Sequence, residues 1–222
     1  MKRTCRVPGC TAEVSSRYNP YCSNHKARLR RHGAVDQEGI TSTDLKPYLA
    51  RVRARVEKNR DNPAWGQLDG RWLSVVDHAR TVIASYERGK ASIRHEVKAA
   101  HEIVKVAQTV SPREAVEVVL AMFMMQELEP RRFRNDEAFR VQLTRRVRAL
   151  ANVNAGEFYD HRTNKTRRVY RELPPKAVAV IGHWLVQAFG AAGVRIARLE
   201  REDEERERKE RLELYKALEN LT

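Results

Sequence analysis

The sequence predicts a mainly α-helical protein with three parts. These are a small cysteine-bearing module at the N-terminus, a helical domain carrying one β-hairpin, and a long charged C-terminal helix. Three observations lead there. Beyond residue 44, apolar residues recur mostly at three- and four-residue intervals, the spacing of one helix face. Only the stretch around residues 156–173 alternates on either side of a polar turn, as the strands of a hairpin do. All three cysteines fall within the first 22 residues, in a polar segment too short to bury a core of its own. The division that follows is a module over residues 1–33, a linker over 34–43, a helical domain over 44–193 and a charged helix over 194–222.

In the N-terminal module Cys5, Cys10, Cys22 and His25 stand in the spacing C-x4-C-x11-C-x2-H. Zinc takes four nitrogen or sulfur ligands in a tetrahedron, and two tight pairs on turns deliver that geometry. Bound zinc would supply the folding free energy that so small a segment lacks. His32 is the alternative fourth ligand. A competing reading makes Cys22 a buried thiol and Cys5–Cys10 a redox pair, but a sequestered thiol needs a core to hide in, and residues 1–33 offer little. Directly after Cys22 come His25, Lys26, Arg28, Arg30, Arg31 and His32, with only Ala27 and Leu29 apolar among them. A short helix leaving the metal site would present Lys26, Arg28, Arg30 and Arg31 to the phosphates of a nucleic acid. The plainer alternative is a solvated basic tail.

The strings CRVPGC and YCSNHKARLRRHG resemble the small zinc-binding modules of phage and mobile-element DNA-binding proteins, some of which adjoin HNH endonuclease domains. The likeness covers Cys5 to Gly33 only. It implies zinc ligation by Cys5, Cys10, Cys22 and His25, and nucleic-acid contact through the Arg28–Arg31 run. The rest of the chain lacks the histidine-asparagine-histidine pattern of those nucleases, so no activity is carried over.

Charge points the same way. Of a formal net charge of +14, residues 1–60 supply 14 Lys/Arg against 5 Asp/Glu, so the basic excess concentrates beside the module. A polyanion is the natural partner of such a field. No apolar run is expected to reach the length of a bilayer span, and no hydrophobic segment follows the basic start, so neither a membrane partner nor a secretory signal is expected. The expected location is cytoplasmic and nucleoid-associated, where thiols stay reduced.

Each element can be justified in turn. Gly33 to Ser42 is polar and aperiodic, a linker. Thr43 offers an N-cap to a helix with Leu45, Tyr48, Leu49, Val52 and Val56 on one face. Its Arg51, Arg53 and Arg55 form either a second phosphate-tracking surface or a solvated face. Asn62-Pro63 stops that helix. Helical spacing then runs from Trp72 to Ala107 with a break at Gly89, read here as two helices in a hairpin. Ser111-Pro112-Arg113-Glu114 is a capping box with proline at the first helical position, and the apolar run behind it reads as a central buried helix. After Pro130, Arg132 precedes a helix capped by Asn135 or Asp136 and reaching about Asn152, with Arg140, Arg145, Arg146 and Arg148 on its surface.

The hairpin follows, with Lys165, Arg167 and Arg168 at its tip. Buried helix, turn, Arg-bearing helix and basic hairpin is the order of parts in a winged helix-turn-helix, which would send the second helix into the major groove. A helical bundle with solvated arginines is the alternative. Pro174-Pro175 opens a further core helix over Lys176–Phe189, which Gly190 and Gly193 should end. The last segment has many Glu/Arg pairs four apart but no apolar residue from Glu200 to Arg211, too broken for a continuous coiled-coil seam. Its apolar last two turns leave homo-oligomerisation open.

No phosphate-binding glycine loop, HExxH or serine elbow is present. Asp160, His161 and Asn164 lack a second histidine or acidic partner at useful spacing, and Tyr170 lacks the ordered set of arginines and histidines a recombinase needs. The expectation is a non-enzymatic DNA-binding protein, a regulator or accessory factor of a phage or mobile element. Its target would be double-stranded DNA, with RNA left open. The rivals are an assembly scaffold with a structural zinc and a zinc-containing nuclease of unrecognised type.

Overall fold

In a computed structural model, which describes residues 3–14, 16–151, 154–170 and 172–219, seven α-helices and one antiparallel hairpin follow the expected order. They are α1 (Ser23–His32), α2 (Ser42–Lys58), α3 (Ala64–Glu87), α4 (Arg94–Ala107), α5 (Pro112–Leu128), α6 (Asp136–Arg148), β1 (Asn154–Asp160), β2 (Lys165–Tyr170) and α7 (Pro175–Glu219). Residues 72–107 fall in two helices, with Gly89 at φ 75° in the corner between α3 and α4.

The core is built around α5. Ten of its residues, from Ala115 to Met125, are buried, and α2, α3, α6 and α7 all pack on it. Met122, Phe123, Met124 and Met125 are core filling, not a pocket lining. Ser111 caps the helix as expected, its hydroxyl accepting from the Glu114 N–H at 3.2 Å. Asn135 caps α6 by accepting from the Ala138 N–H at 2.7 Å.

Five expectations need correction. The cap of α2 is Thr41, two residues earlier than Thr43: Thr41 Oγ1 accepts from the Asp44 N–H, and the Asp44 carboxylate accepts from the Thr41 N–H at 2.8 Å. That reciprocal pair needs an acid three residues after the cap, which Thr43 does not have. The expected linker is packed down instead. Ala34, Gln37 and Ile40 are buried; the Gln37 amide donates to the Arg132 carbonyl at 3.2 Å, and its oxygen accepts from the Arg134 N–H at 3.0 Å.

Gly190 and Gly193 do not end a helix. They lie inside α7, where a methyl on Gly193 would stand 2.4 Å from the Phe123 ring of α5. Gly193 lets the Phe123 side chain of α5 lie against the α7 backbone, and the core helix and the charged helix are one 45-residue element. By length and composition α7 is also apolar enough to cross a membrane, contrary to expectation. Its Ala177, Ile181, Leu185 and Phe189 are, however, buried in the core.

Finally, α6 is not a free groove-reading helix. Seven of its residues, Phe139, Gln142, Leu143 and Val147 among them, are buried against α1, α4, α5 and α7. The order of parts matches a winged helix-turn-helix, but a helix packed by four others has no broad face left for a groove. The hairpin pairs Asp160 with Lys165 and Glu157 with Arg168, with an irregularity between Asn154 and Gly156.

Candidate metal centre and nucleic-acid interface

The N-terminal segment is shaped by backbone bonds around its cysteines. The Cys5 N–H donates to Ala12 O at 2.9 Å, and the Cys10 N–H donates back to Val7 O at 3.0 Å. Gly9, at φ 77°, closes the turn that brings Cys10 beside Cys5. Cys22 is the N-cap of α1, and His25 sits in the first turn of that helix. Three residues is close to one helical turn, so both side chains emerge on one side.

One ligand atom from each of Cys5, Cys10, Cys22 and His25 lies within 4.8 Å of every other. His25 Nδ1 stands 3.3 Å from Cys22 Sγ and 3.4 Å from Cys5 Sγ. Cys5 and Cys22 are buried and Cys10 is half-buried. The four groups could hold one metal ion. Burial pushes the Cys5 thiol up, but hydrogen bonds from the Cys22 and Val7 backbone and from the His25 and Cys10 side chains outweigh it, holding it at about 6. The Ala12 backbone favours the Cys10 thiolate, yet burial and the neighbouring Cys5 and Cys22 sulfurs win and raise it.

His32, the alternative ligand, is committed elsewhere. Its Nδ1 accepts from the Gln142 amide at 3.1 Å. Burial, then the nearby Arg145, Arg28 and Arg31, push its pKa down, which keeps the imidazole neutral and able to accept. Gln142 is wholly buried, and its oxygen also accepts from the Ile40 N–H at 3.0 Å, so one carboxamide joins α1, α6 and the segment after α1. Gly33 completes the seam: it ends α1 at φ 87°, and a methyl there would meet Ala138 Cα at 2.7 Å. The Arg145 guanidinium donates to the Arg31 carbonyl at 3.3 Å. Nothing but the glycine after RRH hinted at this seam; Gln142 carried no signal in sequence.

The arginines fall into two groups. Lys26 and Arg28 are exposed on α1 with no partner among the described residues. Arg30 and Arg31 both bind Glu172, Arg31 Nε at 2.9 Å, and this pulls the Glu172 carboxyl below its usual range. Glu172 lies two residues past β2, so the helix that Cys22 caps and that carries His25 also holds the base of the hairpin. Lys165 is exposed at the start of β2, while the side chains of Arg167 and Arg168 lie outside the described residues.

The second group is engaged within the fold. Arg55 binds Glu200 at 2.8 Å and Asp203 at 2.6 Å, and Arg51 binds Glu204, so α2 meets an acidic stretch of α7. Arg132 pairs with Asp44 at 3.2 Å and Arg148 with Glu102 at 2.6 Å. The backbone of Arg140 packs on Gly182 of α7. Burial lowers both Arg145 and Arg146, and Arg146 Nε has no partner among the described residues.

Comparison with family models, curated proteins and solved structures finds no match.

Proposed function

We propose that the protein is a non-enzymatic, zinc-dependent DNA-binding protein that grips the duplex backbone with α1 and the hairpin. One observation carries the reading. A notch of about 480 Å³ runs beside the Cys3His cluster, lined by Cys22, His25, Arg28, Arg31 and His32 among others, so fixed cations flank a space open to solvent. A phosphate seated there meets guanidinium groups on a helix anchored at one end by the metal and at the other by Gly33, Gln142 and Arg145. Rigid placement matters because cations fixed in register with phosphates have less ordering entropy to lose on binding than a flexible tail.

The donor set fits zinc. A tetrahedral ion with bonds of about 2.3 Å to sulfur and about 2.0 Å to nitrogen implies a sulfur–nitrogen edge of roughly 3.5 Å. The two observed separations, 3.3 and 3.4 Å, are close to it. Four protein ligands leave no open position for a substrate, which supports a structural and not a catalytic ion. Lys26, Arg28, Arg31 and Lys165 contact phosphates in this reading, and Arg51, Arg55 and Arg148 do not. The resemblance of residues 5–33 supports a role as regulator or accessory factor of a phage or mobile element.

The test is binding of the zinc-loaded protein to a labelled duplex across a salt series. Log affinity should fall linearly with log salt, and Arg28→Ala should lessen the slope by about one unit. Arg51→Ala should leave the slope unchanged. A salt-independent affinity, or equal slopes for wild type and Arg28→Ala, would refute it. Cleavage of the duplex under Mg²⁺ or Mn²⁺ would replace binding with catalysis.

A further inference from the structure

A cleft of about 540 Å³ opens between the start of α3 and the middle of α7, remote in sequence from the metal cluster. Its volume lies within the range of small-molecule sites. Trp65, Leu68 and Ile196 form a buried apolar floor. Opposite α3, α7 lines the cleft with the small Ala191 and Ala192 beside the larger Arg195, Ile196 and Leu199. At the mouth Leu199 is 38% exposed, an apolar side chain left in water.

The polar rim has one sign. Three arginines line the cleft, and no carboxylate does among the described residues. Arg55 is neutralised by Glu200 and Asp203. Arg71 reaches across to α7, where one of its nitrogens donates to the Ala188 carbonyl at 3.1 Å and the others have no partner among the described residues. Arg195 is exposed and has no partner among the described residues. An apolar trough with two available guanidiniums at its edge matches a molecule with an apolar body and an anionic head.

We propose that this cleft binds an amphipathic anion, a carboxylate on an aliphatic chain or aromatic ring. The apolar body lies on Trp65, Leu68 and Ile196, and the carboxylate meets Arg195 and Arg71. This does not depend on the nucleic-acid reading, since none of these residues belongs to α1 or the hairpin.

Decanoate, kept below its micelle-forming concentration, tests it by calorimetric titration of the whole 222-residue chain, with decyltrimethylammonium as the cationic match. Saturable uptake of one decanoate per chain is expected, and no comparable uptake of the cation. Arg195→Glu should weaken binding by about tenfold or more, since it replaces a charge-assisted contact with a repulsive one. Ala191→Trp, at an exposed position on the cleft wall, should abolish it by filling the trough, with circular dichroism confirming an intact helical fold. Should that variant misfold, Arg195→Glu still decides the question. Absence of saturable uptake, equal binding of the cation, or wild-type affinity in Arg195→Glu would overturn the proposal.

Discussion

Replacing Gly193 with alanine separates a helix that ends at a glycine pair from one that runs through it. In the continuous α7 the new methyl would lie 2.4 Å from Phe123 Cγ and 2.6 Å from both Cβ and Cδ2. Phe123 cannot easily step aside. Its ring tilts against Phe139 at 5.0 Å, and Phe139 meets Phe133 edge-on at 5.2 Å, all three being buried. Overpacking of this kind costs roughly 1–3 kcal/mol. Against it stands the better helix propensity of alanine, about 1 kcal/mol in a helix interior. The clash is with a ring locked in a stack, so the upper half of the cost applies, and Gly193→Ala should destabilise by about 1–2 kcal/mol. Gly66 and Gly70 in α3 supply the control, since a methyl on either meets nothing within 4 Å. Alanine at Gly66 should stabilise by about 0.5–1 kcal/mol. Urea unfolding reads both, with an unchanged m-value showing that only stability moved. If Gly193→Ala were as stabilising as Gly66→Ala, the close approach of α5 and α7 would be wrong, and with it the single long helix.

Three further outcomes follow from the same geometry. Purified protein should carry about one metal ion per chain, and His25→Ala or Cys22→Ser should lower that content in elemental analysis while His32→Ala leaves it unchanged; equal loss in His32→Ala would refute the ligand set. Arg55→Ala should cost about 1–3 kcal/mol, less than a fully buried pair because its partners keep some solvent. Arg60→Ala, whose partner Glu57 is equally exposed, should cost under about 0.5 kcal/mol, and matching costs in urea melts would contradict the distinction. In acid, three carboxyls lose folded-state partners. Hydrogen bonds from Thr41, with Arg132 nearby, lower Asp44; Arg30 and Arg31 lower Glu172; Arg55 lowers Asp203. Groups depressed on folding stabilise above their ordinary values of 3.8 to 4.5 and lose that contribution as pH falls through their lower folded values. The urea midpoint should therefore drop below about pH 4, and Asp44→Asn should flatten the drop; an unaltered pH profile in that variant would argue against the Thr41–Asp44 box.

What could be read in the sequence was what local chemistry decides. Cys22 and His25 are one helical turn apart, Ser111 and Asn135 cap helices three residues ahead, and Gly89 turns a corner; each is settled within a few positions along the chain. What could not be read depends on partners far away. The Gln142 amide reaches His32 across 110 residues, and Arg55 finds Glu200 across 145. A glycine signals only permission: Gly193 looks like a helix end until Phe123 is seen to fill the space a side chain would need. The residues 34–43 looked like a linker for the same reason, because a buried glutamine reads as polar whether or not backbone groups satisfy it.

That distinction bears on function more than on fold. A count of 43 Lys/Arg reads as a field for polyanions, but a cation already paired inside the fold contributes little to counterion release. The acidic stretch of α7 takes up Arg51 and Arg55, Asp44 takes up Arg132, and Glu102 takes up Arg148. On α1, Lys26 and Arg28 have no partner among the described residues, and the pairs made by Arg30 and Arg31 leave more than half of each side chain exposed. The basic residues still able to meet an external anion beside the Cys3His cluster are therefore few and held by a short, fixed helix. A small number of rigid cations predicts a shallow salt slope of roughly −3 to −5 in place of the steep one the net charge suggests. A slope near −10 would mean that the paired arginines of α2 and α6 are released on binding, and that α7 gives up its hold on α2 when the duplex arrives.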